Sequence, residues 1–98
     1  ALGRSGSDFP PINSLKGLTG HCLSASGSIE SVASVIEIYN NFIFGNLNSE
    51  DLHPKIFSLI GREAVPTTTK VASVRTLAKD CFGFGDLNAV AIFRSYDG

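Results

Sequence analysis

The chain has 98 residues, 43% of them hydrophobic and 17% charged, a composition that fits one small globular domain and excludes a disordered chain. Eight Lys+Arg against nine Asp+Glu leave a formal net charge of −1, so the basic field that nucleic acid or an anionic membrane needs is missing. No apolar run approaches the roughly 18 residues of a membrane span or the pattern of a signal peptide, and two cysteines, Cys22 and Cys81, are too few for a disulfide scaffold, which together predict a soluble chain from a reducing compartment. Met and Trp are absent, and without an initiator Met the chain reads as beginning partway through a longer one. Residues 1–11, rich in Gly, Ser and Pro, read as an irregular leading segment. Ile12, Ser14 and Leu15 then predict a short strand, ended by a turn at the glycines of Lys16-Gly17-Leu18-Thr19-Gly20. Thr19 is the expected helix N-cap, because its hydroxyl can accept from an unpaired amide of the next turn, and that puts His21 at the helix start. Ile29, Val32, Ala33, Ile36, Tyr39 and Ile43 recur at spacings of three and four and predict one buried apolar helical face through about Asn40. The small residues Leu23-Ser24-Ala25-Ser26-Gly27-Ser28 lower helix propensity in the first half but let another backbone come close. Pro54 suits the first turn of a short helix carrying Ile56, Leu59 and Ile60 and ending at Gly61. Beyond a connecting segment at Pro66 and the threonines, Arg75 to Cys81 alternates and Ala89 to Phe93 is continuously apolar, predicting two strands of a β-hairpin joined across Phe82–Asn88.

Several of these residues are chemically equipped. Lys16 and His21 are five positions apart across a glycine-containing turn and could share a cleft, with the imidazole at a helix N-terminus favoured as a neutral hydrogen-bond donor or base. The same pair also fits a solvent-facing lysine and a packed histidine. Glu30, nine residues after His21, reads either as a solvated carboxylate or, if buried, as one that needs a cationic partner, for which Lys16 is a candidate. In Phe82-Gly83-Phe84-Gly85 the aromatics stand beside residues that expose backbone amides, so the loop could offer an N–H to an oxyanion and a wall to a ligand, or be a tight turn with two core rings. Gly83-x-Gly85-x-x-Asn88 lacks the last glycine of a dinucleotide fingerprint and precedes a strand. His21, Cys22, His53 and Cys81 match no compact metal spacing, and adjacent helical residues such as His21 and Cys22 diverge by about 100°, so neither a metal site nor a Cys–His catalytic pair is expected there.

Taken in order, Ser14-Leu15-Lys16-Gly17-Leu18-Thr19-Gly20-His21, Ser24-Ala25-Ser26-Gly27-Ser28-Ile29-Glu30 and the late Phe82-Gly83-Phe84-Gly85 resemble β-ketoacyl-acyl-carrier-protein synthases, over about residues 12 to 94. The resemblance implies an α/β fold, the C-terminal part of the thiolase-like architecture, with a mixed sheet packed on a buried helix, and a single partial domain over residues 1–98. It implies a decarboxylative Claisen condensation of malonyl-acyl-carrier protein with an acyl thioester, in fatty acid or polyketide synthesis. His21 would be the second histidine of a Cys-His-His set, donating a hydrogen bond to the malonyl thioester carbonyl. Lys16 would organise the site electrostatically with Glu30 as its carboxylate partner, and Phe82 would be the gating aromatic whose amide joins the oxyanion hole, with Gly83 and Gly85 as hinges and Phe84 between them. No cofactor or metal is implied. The implied partners are an acyl carrier protein, acyl and malonyl thioesters and a second copy of the parent, with neither nucleic acid nor membrane, in the cytoplasm.

Two departures stand out. Asp86 replaces a glycine that usually follows this loop, although Asn88 agrees with the pattern. Neither Cys22 nor Cys81 stands in the nucleophile's context, so the nucleophilic cysteine and first histidine are expected outside this chain, which alone should condense nothing. A non-catalytic, chain-length-factor-like relative and a stand-alone binding domain are the competing readings.

Overall fold

The computed structural model describes residues 2–97. In chain order the elements are α1 (Lys16–Thr19), a 3-10 turn (Leu23–Ala25), α2 (Ser26–Asn40), β1 (Phe42–Ile43), α3 (Pro54–Leu59), a second 3-10 turn (Arg62–Ala64), β2 (Lys70–Val71), β3 (Thr76–Gly83) and β4 (Leu87–Arg94). The strands form two two-stranded sheets, β1 with β2 and β3 with β4. The chain divides into two compact units, one from residues up to Gly20 with Phe44–Lys70, the other from His21–Ile43 with residues from Val71 on. Among the described residues no helix is long and apolar enough to cross a membrane.

In the first unit, Ile60, Ala64 and Val65 form a small buried cluster with Phe9 and Leu52 packed against it. Pro54 opens α3, where its missing N–H is no loss, and the His53 ring caps it by accepting from the Lys55 amide at 3.2 Å. The expected helix is therefore present over Ile56 and Leu59, but it stops short of Ile60, which is extended (φ −134°, ψ 153°) and bridges to Gly6. The expected strand at Ile12–Leu15 is absent. The Ile12 amide donates to the Ala64 carbonyl at 2.7 Å, and Asn46 takes both the Ser14 amide and the Ile12 carbonyl at 2.9 Å, so a side chain satisfies the backbone groups a neighbouring strand would have used. Gly45 is required by a close approach: a Cβ there would lie 2.5 Å from the Thr68 carbonyl carbon.

The second unit is helix α2 against the β3–β4 hairpin. The helix ends at Asn40, as its periodicity predicts, because Asn41 takes the left-handed conformation (φ 55°) and its N–H returns to the Glu37 carbonyl. Its start is corrected: Gly20 (φ 72°) closes α1 and Thr19 donates its hydroxyl back to Leu15, so Thr19 ends one helix rather than capping the next, and α2 begins five residues beyond His21. The hairpin is antiparallel, with Thr76 opposite Arg94 and Gly83 opposite Leu87, so its strands run further inward than expected and leave Phe84–Asp86 as the turn.

The face that α2 buries is not the apolar one. Its buried residues are Ser26, Glu30, Ser34 and Glu37, one stripe at spacings of four and three. Ser34 and Glu37 are each 4% exposed, whereas Val32 is 60% and Tyr39 84% exposed, and Ile29 and Ile36 are exposed beside them. Small side chains explain the choice. Gly27 faces Cys81, whose sulfur would be in ordinary van der Waals contact with an added Cβ at 3.8 Å, and Ser31 and Ser34 return their hydroxyls to the carbonyls of Gly27 and Glu30 at 2.6 and 2.9 Å, so both hydroxyls are satisfied. The outer face of the hairpin also exposes apolar side chains, Phe82, Val90 and Ile92, interspersed with Asp80, Asn88 and Arg94.

Exposed apolar side chains on two faces of one small unit favour association in water. Light scattering of the isolated chain should show an average mass rising with concentration above that of a monomer, and Val32→Glu with Ile92→Lys should lower it at equal concentration. A wild-type chain that stays monomeric at high concentration would contradict this account of the two faces.

Candidate functional site

The two units divide the nominated residues. Lys16 opens α1 on the first, exposed, with its carbonyl accepting from the Gly20 amide at 2.9 Å. His21, Glu30 and the Phe82–Gly85 segment belong to the second.

His21 is exposed and its ring is oriented by the turn that follows it. Nδ1 accepts from the Leu23 amide at 2.9 Å and lies 3.2 Å from the Ser26 hydroxyl. That hydroxyl accepts from the Cys22 amide at 2.8 Å, which leaves its own proton to give to the ring. With donors aimed at Nδ1, the neutral imidazole carries its proton on Nε2, at the other side of the ring, as a donor. Leu23 itself adopts φ 52°, a left-handed backbone that costs a non-glycine residue about 1–2 kcal/mol. The ring's orientation thus comes from a strained turn and the serine that opens α2, not from a place on the helix itself. Sequence reasoning missed Ser26; its position five residues after His21, at the foot of the apolar-periodic segment, is the signal that could have found it.

Glu30 is buried, and a cation meets it. Lys79 Nζ lies 2.8 Å from Glu30 Oε2, with the two side chains 14% and 9% exposed. The solvated reading of Glu30 is therefore excluded, and Lys79 of β3 joins Lys16 as a cation to be weighed for it. Lys79 was legible as the lysine between Leu77 and Cys81 on the half-buried alternation of its strand. Its Nζ also donates to the Asp80 carbonyl and to Cys81 Sγ, the latter at 3.2 Å. Burial alone would lower the pKa of this ammonium, but hydrogen bonds to Glu30 and Cys81, with the charge of both, outweigh it and raise Lys79 above the ordinary lysine value of 10.5.

The late loop is a turn with its rings outside. Phe84 is 99% exposed and Phe82 is exposed on the hairpin face opposite the half-buried one, so neither ring is a core residue of this chain. Gly83 sits in the ladder opposite Leu87, where a Cβ would lie 3.2 Å from the Leu87 carbonyl. Gly85 (φ 77°) and Asp86 (φ 59°) are both left-handed. Asp86 therefore occupies a conformation that glycine adopts freely and that aspartate tolerates better than most residues, which is how the hairpin accepts the departure at that position. Cys22 and Cys81 are half-buried and are not joined in a disulfide. Among the described residues no three of His, Cys, Asp and Glu are grouped to hold a metal.

The model of the β-ketoacyl synthase C-terminal domain matches residues 1–50. The chain is similar to 3-oxoacyl-[acyl-carrier-protein] synthase 1 of Haemophilus influenzae, 36% identical over 93 residues, which is 95% of this chain and 22% of the relative. It is 36% identical over 85 residues to the mitochondrial synthase of Arabidopsis thaliana (86% and 18%) and 32% identical over 89 residues to synthase 1 of Escherichia coli K12 (91% and 21%). Among solved structures it is similar to a chain of a type II polyketide assembly, an acyl-carrier protein in complex with its ketosynthase bound to the hexaketide, with a TM-score of 0.80 and 31% identity over 93% of this chain and 21% of that one. The fold is that of an α/β protein of the thiolase-like class. Within that class the chain belongs to the β-ketoacyl synthase family, through its C-terminal domain. It spans about a fifth of the length of the relatives it matches.

The buried ammonium carries a testable linkage. Because the folded-state pKa of Lys79 is raised, its stabilising contribution is complete below the unfolded lysine value and is lost as pH rises through the folded one. The stability difference between wild type and Lys79→Met, measured by denaturant unfolding, should be constant up to about pH 10 and shrink above it. A difference that stays constant to pH 12 would contradict the raised value.

Proposed function

We propose that this chain supplies one half of the active site of a 3-oxoacyl-[acyl-carrier-protein] synthase acting in fatty acid or polyketide synthesis. The observation that carries the reading is the His21 ring, whose two donors on Nδ1 leave an outward Nε2–H as a hydrogen-bond donor. An acyl group is held as a thioester on a cysteine outside this chain. Malonyl-carrier thioester then binds with its carbonyl oxygen at His21 Nε2–H, and the bond between malonyl C2 and its carboxylate breaks to release carbon dioxide. The electron pair left on C2 is delocalised onto the thioester oxygen as an enolate, which the imidazole N–H stabilises most strongly when that oxygen carries charge. C2 then attacks the acyl carbonyl, a carbon–carbon bond forms, and the cysteine leaves as a thiolate that takes up a proton. Lys16 and Glu30 set the field around the site, and Phe82, with the hinge glycines Gly83 and Gly85 and the intervening Phe84, gates it and contributes a backbone amide to oxyanion binding. Exposure of both rings supports a gating rather than a packing role.

The partner is an acyl carrier protein and the working enzyme a cytoplasmic homodimer. The structural relative, a ketosynthase in complex with its carrier protein, supports the first of these. Alone, the 98 residues are inactive, because the nucleophile lies elsewhere.

In the intact protein, His21→Ala should slow carbon dioxide release from the malonyl carrier by about 10²–10³, the typical cost of one oxyanion donor, and slow acyl transfer to the cysteine less. Radiolabelled acyl-enzyme formation and carbon dioxide release, followed separately, check this. Decarboxylation at the wild-type rate in the variant would overturn the role of His21, and a wild-type protein that neither acylates nor condenses would favour the chain-length-factor-like reading.

A further inference from the structure

Strand β3 places one long cationic side chain on the hairpin face that meets α2, and the ladder makes room for it: Lys79 is opposite Ala91, and Cys81 is opposite Ala89. An ammonium has three protons to donate. Those of Lys79 meet three acceptors, the Glu30 carboxylate, the Asp80 carbonyl and Cys81 Sγ. With all three committed, this group has none to offer a substrate, and burial keeps it from solvent exchange partners. What it does is mechanical and electrostatic. It neutralises a carboxylate that burial would otherwise penalise, and it fastens α2 to the strand that runs without interruption into Phe82 and Gly83.

We infer that Lys79 is a positioning residue for the condensation: through Glu30 it locks helix α2, which carries Ser26 and the His21 turn at its start, to the strand that leads into the Phe82–Gly85 loop. The inference rests on the functional reading above and deepens it, since it makes the donor His21 and the gating loop two ends of one fastened assembly. The elements joined are close in the chain to both: Glu30 lies four residues beyond Ser26, and Lys79 three before Phe82. Loss of the fastener therefore degrades the alignment of donor and loop in the step that needs both, decarboxylative condensation, and spares formation of the acyl thioester.

The test uses the intact synthase with Lys79→Met, Lys79→Arg, Glu30→Gln and the Lys79→Met/Glu30→Gln double variant. Lys79→Met should lower kcat for condensation about tenfold, with KM for the malonyl carrier and the rate of acyl-enzyme formation within about twofold of wild type. Lys79→Arg, which keeps charge and donors, should restore most of the loss. The double variant should be no slower than Glu30→Gln alone, because a residue acting only through Glu30 has nothing left to hold. It also keeps the test sound if Lys79→Met leaves Glu30 stranded and the single variant fails to fold, since a neutral pair removes the uncompensated charge. Wild-type kcat in Lys79→Met, or losses in the two single variants that multiply in the double, would overturn the inference. Absence of condensation in the wild-type protein would instead overturn the functional reading on which it stands.

Discussion

The contact on which the second unit depends is the ion pair of Glu30 and Lys79, buried between α2 and β3. Such a pair contributes little net stability, because desolvation offsets most of the attraction, but breaking it by removing one partner is costly. Its effect is therefore to choose among packings rather than to drive folding. A helix with one apolar and one polar face would, by area alone, lay the apolar face on the hairpin. Here Ser26, Glu30, Ser34 and Glu37 lie inside instead, and every buried apolar residue among those described, Ile60, Ala64 and Val65, belongs to the other unit. A shift of register would part Lys79 from Glu30 and leave a buried charge unmatched, whereas the hydroxyls of Ser31 and Ser34, bonded within their own helix, would not be affected.

That inversion explains what was and was not legible in the sequence. Element ends signalled by local chemistry were readable: Asn40–Asn41 as a helix stop, Pro54 as a helix start, the glycines between two apolar runs as a hairpin. Each depends on one residue's backbone preference and needs no partner. The face of α2 was misread because periodicity reports which residues are apolar and says nothing of what they meet; Ile29, Val32, Ile36 and Tyr39 form a true stripe that this chain leaves outside. The Ile12–Leu15 strand failed for a related reason, as Asn46 and Ala64 from distant positions took its hydrogen bonds.

The site shows the same split. The family motifs nominate His21, Glu30 and the Phe82–Gly85 loop, whereas the contacts made to His21 by the Leu23 amide and the Ser26 hydroxyl, and to Glu30 by Lys79, come into view only when the chain is folded. Among the described non-glycine residues with positive φ, Leu23 lies beside the imidazole and Asp86 closes the aromatic loop, while Asn41 and Asn48 lie elsewhere. The chain spans about a fifth of the length of the relatives it matches, and it leaves the apolar stripe of α2 exposed to solvent.

The orientation of α2 is the claim on which the others rest, and the rate of thiol labelling tests it most directly. Ser34→Cys and Val32→Cys, introduced separately into this chain and read by peptide mass mapping so that Cys22 and Cys81 serve as internal references, sample the two faces. The account predicts that, at a concentration low enough for the chain to be monomeric, a cysteine at position 34 is protected and one at position 32 labels much faster. Protection at 32 with rapid labelling at 34, or equal rates at both, would contradict it.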